Sequence, residues 1–293
     1  MVRDAIVLAG GRGTRMLPAS LYSPKETLPL VDTPILNHIV WEAERAGVDR
    51  LHLVLSPIKY KSLESFFSNG IGSFEGVRPD LPREALSLGT SRVKVFPHVQ
   101  DKPGGVGDAI ATAIHAVDGP FLVILGDMLL MQKHQDHDEM GPKFASMASK
   151  KLVTTFEETG LPCVGVIPVN YDEVGNYGIV EVTDDLVVDI IEKPLPSEVV
   201  SNLILCGRYI FPEDTKELLR DYPLSIHGEM QSIEILRHFS RNEGLVAVDL
   251  GSMVAYDSGD PLTWLKAQVD HALRRGDLSD DFTKWLKDTL SRI

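Results

Sequence analysis

Between Ala5 and Leu36 the chain reads AIVLAGGRGTRMLPASLYSPKETLPLVDTPIL, a set of residue types suited to gripping a row of phosphates. The apolar run from Ala5 to Leu8 stops at Gly10-Gly11-Arg12-Gly13-Thr14-Arg15, and a lysine follows in Pro24-Lys25-Glu26. Glycines without a Cβ let backbone N–H groups close around phosphate oxygens, and guanidinium groups add charge-assisted hydrogen bonds to the same oxygens. Arg12, Arg15 and Lys25 therefore offer the cations, and the glycines the N–H donors, for a polyphosphate. Two familiar phosphate motifs do not fit. The dinucleotide fingerprint is met at Gly11 and Gly13 but broken by Met16 at its third glycine, which disfavours a NAD-dependent oxidoreductase. No Gly-Lys-Ser/Thr run occurs, which disfavours a P-loop ATPase.

Three further charged residues stand where a ligand could use them. Asp127 ends the apolar run Phe121–Gly126, at the tip of a buried strand, although an Asp there could also cap a following helix. Asp257, in Ala255-Tyr256-Asp257-Ser258-Gly259, lies in what is by itself an ordinary turn. Lys193, in Glu192-Lys193-Pro194, follows an apolar strand, a position where a lysine is ordinarily solvated.

The elements that must position these groups alternate. Ala5–Ala9, Leu51–Ser56, Val93–Pro97 and Phe121–Leu125 read as strands. Ile35, Leu36, Ile39, Val40 and Ala43 recur at helical spacing, as do the apolar residues of Val106–Val117. Strands alternating with helices predict an α/β fold, Rossmann-like, with a mostly parallel sheet flanked by helices. Ligands of such sheets bind outside the carboxyl ends of the strands, so the glycine loop and Asp127 should share one crevice. In the middle of the chain, Cys163–Pro168, Gly178–Val182, Val187–Ile191 and Leu203–Phe211 are strands with few helices between, so the sheet becomes mixed. Val182–Leu186 is a hairpin turn. The end is helical, over Met230–Arg241, Pro261–Arg275 and Asp280–Ser291, with a strand at Leu245–Leu250. Apolar stripes on the last two helices suit either docking on the core or a subunit interface. Asn69–Thr90 reads as an inserted loop. Met131–Lys151, with His134 and His137, reads as a mobile surface segment rather than a metal site.

Composition bounds the function. The chain has 293 residues, 43% hydrophobic and 24% charged, ordinary for a globular protein. A net charge of −13 argues against nucleic-acid binding, which needs a basic face. An acidic protein that takes an anionic ligand must concentrate its cations locally, as the first segment does. The 2 cysteines, Cys163 and Cys206, sit in apolar runs and read as buried strand residues, with no disulfide framework and no zinc spacing. A first strand near residue 4 leaves no room for a signal peptide, and no apolar stretch is long enough to span a bilayer. The expected location is the cytoplasm.

The pattern L-A-G-G-x-G-T-R-x-x-P followed by P-K-x-x-L-P-x-x-x-x-P-I resembles the sugar-1-phosphate nucleotidyltransferases, in the form of the bacterial-type UTP–glucose-1-phosphate uridylyltransferases. Gly105-Val106-Gly107-Asp108-Ala109, Leu125-Gly126-Asp127, Asn176-Tyr177-Gly178, Glu192-Lys193-Pro194, Ser201-Asn202-Leu203, Gly207-Arg208-Tyr209 and Asp257-Ser258-Gly259 continue it in the family's order, over about residues 4 to 290. The resemblance implies one nucleotidyltransferase domain over 1–293, with a nucleotide-binding half (1–130), a sugar-phosphate half (151–260) and C-terminal helices (261–293). It implies transfer of a uridylyl group from UTP to glucose 1-phosphate with release of pyrophosphate, in a homo-oligomer, dimer or tetramer. Mg2+ would lie on Asp127 and Asp257. Arg15 and Lys25 would meet the triphosphate and Lys193 the sugar phosphate. Leu8, Ala9, Gly10, Gly11, Gly13, Thr14, Glu26, Gln100, Gly105 and Asp108 would line the nucleotide, with Gln100 reading both a donor and an acceptor of a pyrimidine edge. Tyr177, Gly178 and Glu192 would hold the sugar. The chain departs from the pattern between Lys61 and Gln100 and after Asp127. Asp108 stands where such uridylyltransferases often carry His. A dTTP-using or other-sugar enzyme of the same family remains an alternative. An inactive regulatory subunit would be expected to lack Lys25, Asp127 or Asp257, and all three are present.

Overall fold

The structure is a computed structural model that describes residues 1–69, 80–90, 92–220 and 231–292. Its strands are β1 (Asp4–Leu8), β2 (Pro29–Leu30), β3 (Thr33–Pro34), β4 (Arg50–Leu55), β5 (Lys94–Val99), β6 (Phe121–Leu125), β7 (Met128–Met131), β8 (Cys163–Pro168), β9 (Gly178–Thr183), β10 (Leu186–Glu192), β11 (Leu203–Phe211), β12 (Val246–Asp249) and β13 (Val254–Asp257). Nine of them form one sheet in the order β5-β4-β1-β6-β11-β8-β12-β10-β9. The four on the β5 side are mutually parallel, as apolar runs separated by helices require. β11 then runs antiparallel to β6 and β8, so the sheet is mixed from there on. It crosses without a break from the first 130 residues into the second half of the chain.

The helices are α1 (Ala19–Tyr22), α2 (Ile35–Ala46), α3 (Pro57–Asn69), α4 (Val106–Ile114), α5 (Ala148–Thr159), α6 (Thr215–Arg220), α7 (Ser232–Asn242), α8 (Pro261–Arg274) and α9 (Ser279–Leu290). One core joins the sheet to α2 and α5 through residues such as Ile39, Val40 and Leu152. A second joins the other face to α4 and α7 through Ile110, Phe121, Phe211 and Phe239. Burying each phenylalanine stabilises the fold by about 1.5–3 kcal/mol relative to exposure. α2 ends where Gly47, at φ 100, turns its N–H back to the carbonyls of Ala43 and Glu44. The turn read at Val182–Leu186 joins β9 to β10 through Asp184 and Asp185, at φ 49 and 63, the two positive φ values of a type I′ hairpin.

Several expectations change. α3 and α5 are regular helices where no element was expected. Met131–Lys151 is not a loose surface segment: His134 is half-buried, with Nδ1 3.0 Å from Nδ1 of His271 on α8. β7, just before it, pairs antiparallel with β13 in a separate two-stranded ribbon. Of the stretch read as an inserted loop, residues 70–79 lie outside the described residues, and Arg83–Leu86 forms a 3-10 turn. α8 docks on the core through Trp264, Ala267 and His271, whereas α9 buries no residue fully and leaves Trp285 58% exposed. Both cysteines are buried, as expected. Among the described residues no helix is long and apolar enough to cross a membrane.

Candidate active site

The site begins at the register of β1 and β6. Leu8 lies opposite Leu125, so the chain leaves both strands at the same sheet edge. Gly126 N–H donates to the Leu8 carbonyl at 2.9 Å, and a Cβ at Gly126 would sit 2.7 Å from that oxygen. Only glycine permits this approach, which sets Asp127 beside the glycine loop. Within the loop Gly13 takes φ 62, and Ser20 Oγ donates to its carbonyl at 2.8 Å. Arg12, Thr14 and Arg15 are exposed along it.

Lys25 opens a 3-10 turn and is largely buried along its stem. Its Nζ lies 2.6 Å from Asp127 Oδ2. Asp127 and Asp257 are brought together by the β7–β13 ribbon, in which Asp257 pairs with Met128, the residue after Asp127. Ser258 N–H and Oγ both donate to the Asp127 carbonyl, at 3.0 and 3.1 Å. Burial, and then the neighbouring charge of Asp127, push the Asp257 carboxyl above the ordinary Asp range, with Lys25 and Arg15 pulling the other way. Two carboxylates held together against such opposition, one of them on a lysine ammonium, form a donor set that a hard divalent cation would satisfy.

Glu26 departs from its expected place on the nucleotide. It is 2% exposed and faces inward, and both carboxylate oxygens accept from Lys59 Nζ, at 2.8 and 2.7 Å. Lys59 also donates to the Ala9 carbonyl at 2.7 Å, so this buried pair braces the glycine loop from below. Burial dominates both members, raising the Glu26 carboxyl and lowering the Lys59 ammonium from their ordinary values. Arg208 is the second buried brace. It is fully buried, makes a two-pronged pair with Glu42 at 2.7 and 2.9 Å, and donates from Nη2 to the Met128 carbonyl at 2.9 Å. It thereby fixes the backbone next to Asp127. Neither role was evident beforehand. The available signals were a lysine two residues after Pro57 and an arginine inside the apolar strand GRYIF.

Gln100 lies at the end of β5, and its N–H donates to the Leu55 carbonyl at 2.9 Å. Its Nε2 donates to Asp108 Oδ2 at 2.6 Å, and its Oε1 points at Gly10, where a Cβ would meet it at 2.9 Å. A cleft of about 570 Å3 runs between Gly10, Arg12, Lys25, Ser56 and Gln100, within the size range of small-molecule sites. Gly105, at φ 94, turns the chain into α4 beside it.

The residues expected on the sugar gather where β9 meets β10. Gly178 pairs with Glu192, and a Cβ at Gly178 would lie 2.9 Å from Glu192 Oε2. Lys193 adopts φ 47, rare for a residue with a side chain, and is held by its N–H on the Tyr177 carbonyl at 2.9 Å. Its side chain is exposed, with Nζ 3.8 Å from Glu192 Oε1. Burial, and then the charge of Asp257, raise the Tyr177 phenol, which places Tyr177 within electrostatic reach of Asp257.

The profile of the family described as Nucleotidyl transferase matches residues 4–267. The chain belongs to this family. Among its relatives, the UTP--glucose-1-phosphate uridylyltransferase of Streptococcus pneumoniae serotype 4 is 30% identical over 97% of this chain and 95% of that protein. A solved UTP-bound UGPase from Acinetobacter baumannii is 27% identical, with a TM-score of 0.81 over 98% of this chain and 99% of that one. A UDP-glucose pyrophosphorylase complexed with UDP-glucose is 25% identical, with a TM-score of 0.77 over 94% of this chain and 100% of that one. This nucleotidyl transferase is therefore an enzyme of the α/β class that its first strand and glycine loop announced.

Proposed function

We propose that this nucleotidyl transferase moves a uridylyl group from UTP to glucose 1-phosphate. A phosphate oxygen of the sugar phosphate bonds to the α-phosphorus of UTP, the bond from that phosphorus to the bridging oxygen breaks, and pyrophosphate leaves. The observation that carries this reading is the meeting of the glycine loop, Lys25, Asp127 and Asp257 at one sheet edge. Two polyanions must be brought together, so positioning and charge neutralisation dominate over proton transfer.

Arg15 and Lys25 neutralise the triphosphate, and Lys193 binds the phosphate of the sugar. Glu192, Tyr177 and Gly178 contact the sugar ring, and Gln100 contacts the base. Asp127 and Asp257 would hold Mg2+, whose contribution when bound is to offset phosphate charge and fix its geometry. Lys25 has a double task in this reading. Its ammonium sits on Asp127 in this structure and would turn to phosphate oxygens when the nucleotide binds. The relatives named for UTP and glucose 1-phosphate support this choice of substrates. A matrix of nucleoside triphosphates against sugar 1-phosphates, read by pyrophosphate release with Mg2+, tests it. UTP with glucose 1-phosphate should give the highest kcat/KM, with dTTP next and purine nucleotides far behind. A higher kcat/KM for any purine nucleotide than for UTP would overturn it.

A further inference from the structure

Gln100 was expected to read a donor and an acceptor on the base, but its surroundings leave it only one of these roles. A carboxylate accepts hydrogen bonds and donates none, so the amide group 2.6 Å from Asp108 Oδ2 must be the NH2. The assignment follows from chemistry and does not depend on telling nitrogen from oxygen in the amide. The same nitrogen lies 3.4 Å from the Gly105 carbonyl, which draws its second hydrogen inward. Oε1 is then turned to Gly10, along the wall of the cleft. The geometry depends on Gly104. A Cβ there would fall 2.6 Å from Asp108 Cγ and 2.7 Å from Oδ2, so the glycine is what lets the carboxylate fold back from the first turn of α4 to reach Gln100.

We propose that Asp108 is a specificity-determining residue that locks Gln100 with an acceptor toward the base, selecting pyrimidines that carry N3–H over cytosine. The inference rests on the reading above that this cleft holds the base of a nucleoside triphosphate. Uracil and thymine present a donor at N3, which Oε1 can accept. Cytosine presents an acceptor at N3, and two acceptors then face each other with no proton between them. With His at this position the amide would not be tied in the same way, because an imidazole can donate or accept. Asp108 acts through Gln100 and does not itself touch the reacting atoms.

The test is the ratio of kcat/KM for UTP to that for CTP, measured in wild type, Asp108→Asn and Gly104→Ala with glucose 1-phosphate. Ligand-induced shifts in melting temperature with UTP and CTP provide a readout independent of turnover. A site that leaves a buried polar group facing the wrong partner discriminates by up to about 10⁴-fold, so wild type should favour UTP by roughly 10³ or more. Asn at 108 can donate to Gln100 Oε1 and so permits the amide to turn over. The ratio should fall at least about tenfold, as expected when one such hydrogen bond is no longer enforced. Gly104→Ala keeps the carboxylate but displaces it, and should lower the same ratio, so the test survives if one variant folds poorly. A merely structural role would depress both substrates together and leave the ratio unmoved. An unchanged ratio in folded Asp108→Asn and Gly104→Ala, with wild type still preferring UTP, overturns the role of Asp108 and leaves the proposed activity standing. A wild type that uses CTP as well as UTP overturns the role of Asp108 and leaves uridylyl transfer standing, whereas a purine preference overturns the reading on which it rests.

Discussion

Replacing Lys59 with methionine isolates the buried brace under the glycine loop. Methionine keeps most of the stem volume and removes the ammonium that satisfies both oxygens of Glu26 and the Ala9 carbonyl. Glu26 is 2% exposed, so water cannot readily replace the lost partner. Breaking one side of a buried ion pair costs about 3–5 kcal/mol because the other charge is left uncompensated. At roughly 2–4 °C per kcal/mol for a chain of this order of size, the melting temperature should drop by about 6–20 °C at pH 8. The pH dependence follows from the direction of the Glu26 shift. Burial already raises this carboxyl above its ordinary value with Lys59 present, and losing Lys59 raises it further. An acid whose folded pKa lies above its unfolded pKa, about 4.3 for Glu, costs nothing below the unfolded value and loses stability as pH rises through the folded one. The gap between variant and wild type should therefore be smaller at pH 5 than at pH 8. Lys59→Met combined with Glu26→Gln should recover much of the loss, since a neutral amide is far cheaper to bury than an unpaired carboxylate. Thermal melts of the three proteins at both pH values decide the matter. A melting temperature within about 2 °C of wild type for Lys59→Met at pH 8, or a gap that does not change with pH, would refute the reasoning.

Five other substitutions probe the site and its second brace. Asp127→Ala and Asp257→Ala should each lower Mg2+-dependent turnover by roughly 10³-fold or more while the protein remains folded, and near wild-type rates in either would remove that residue from the site. Lys25→Ala should chiefly lower kcat, by about 10²–10³-fold, because charge builds on the departing pyrophosphate in the transition state. Lys193→Ala should chiefly raise the KM for glucose 1-phosphate, and an unchanged KM contradicts its assignment. Arg208→Met leaves Glu42 buried without its cation and should destabilise the protein by about 3–5 kcal/mol, as seen by urea unfolding. A variant as stable as wild type would show that Glu42 is satisfied by Ser149 alone.

The centre of the parallel half of the sheet was legible because β1 and β6 are almost wholly apolar runs bounded by a break. Ala5–Ala9 and Phe121–Leu125 differ from β1 and β6 by at most a residue at either end. The glycine loop and Asp127 could be assigned to one crevice for the same reason, since the strands that carry them share a direction. Other parts left no local trace. β7 and β13 are four residues each and pair across more than a hundred positions, so no pattern within either announces the ribbon that joins Asp127 to Asp257. Glu26 was expected on the nucleotide from the family resemblance, and sequence adjacency does not say which of Lys25 and Glu26 turns inward. The 3-10 turn at Lys25–Thr27 sends Lys25 to Asp127 and Glu26 to Lys59.

That divergence of two adjacent side chains explains how an acidic protein keeps a cationic site functional. The charges that would weaken phosphate binding are each committed elsewhere. Glu26 is neutralised by Lys59 beneath the loop, and Glu42 by Arg208 behind the ribbon. Asp108 is turned to the NH2 of Gln100. Asp127 is held on the Lys25 ammonium, and Arg12 and Arg15 stay exposed on the glycine loop. The local field at the loop is therefore set by these pairings and not by the net charge of −13. Because both braces are buried, salt should screen them far less than it screens the exposed Arg12 and Arg15.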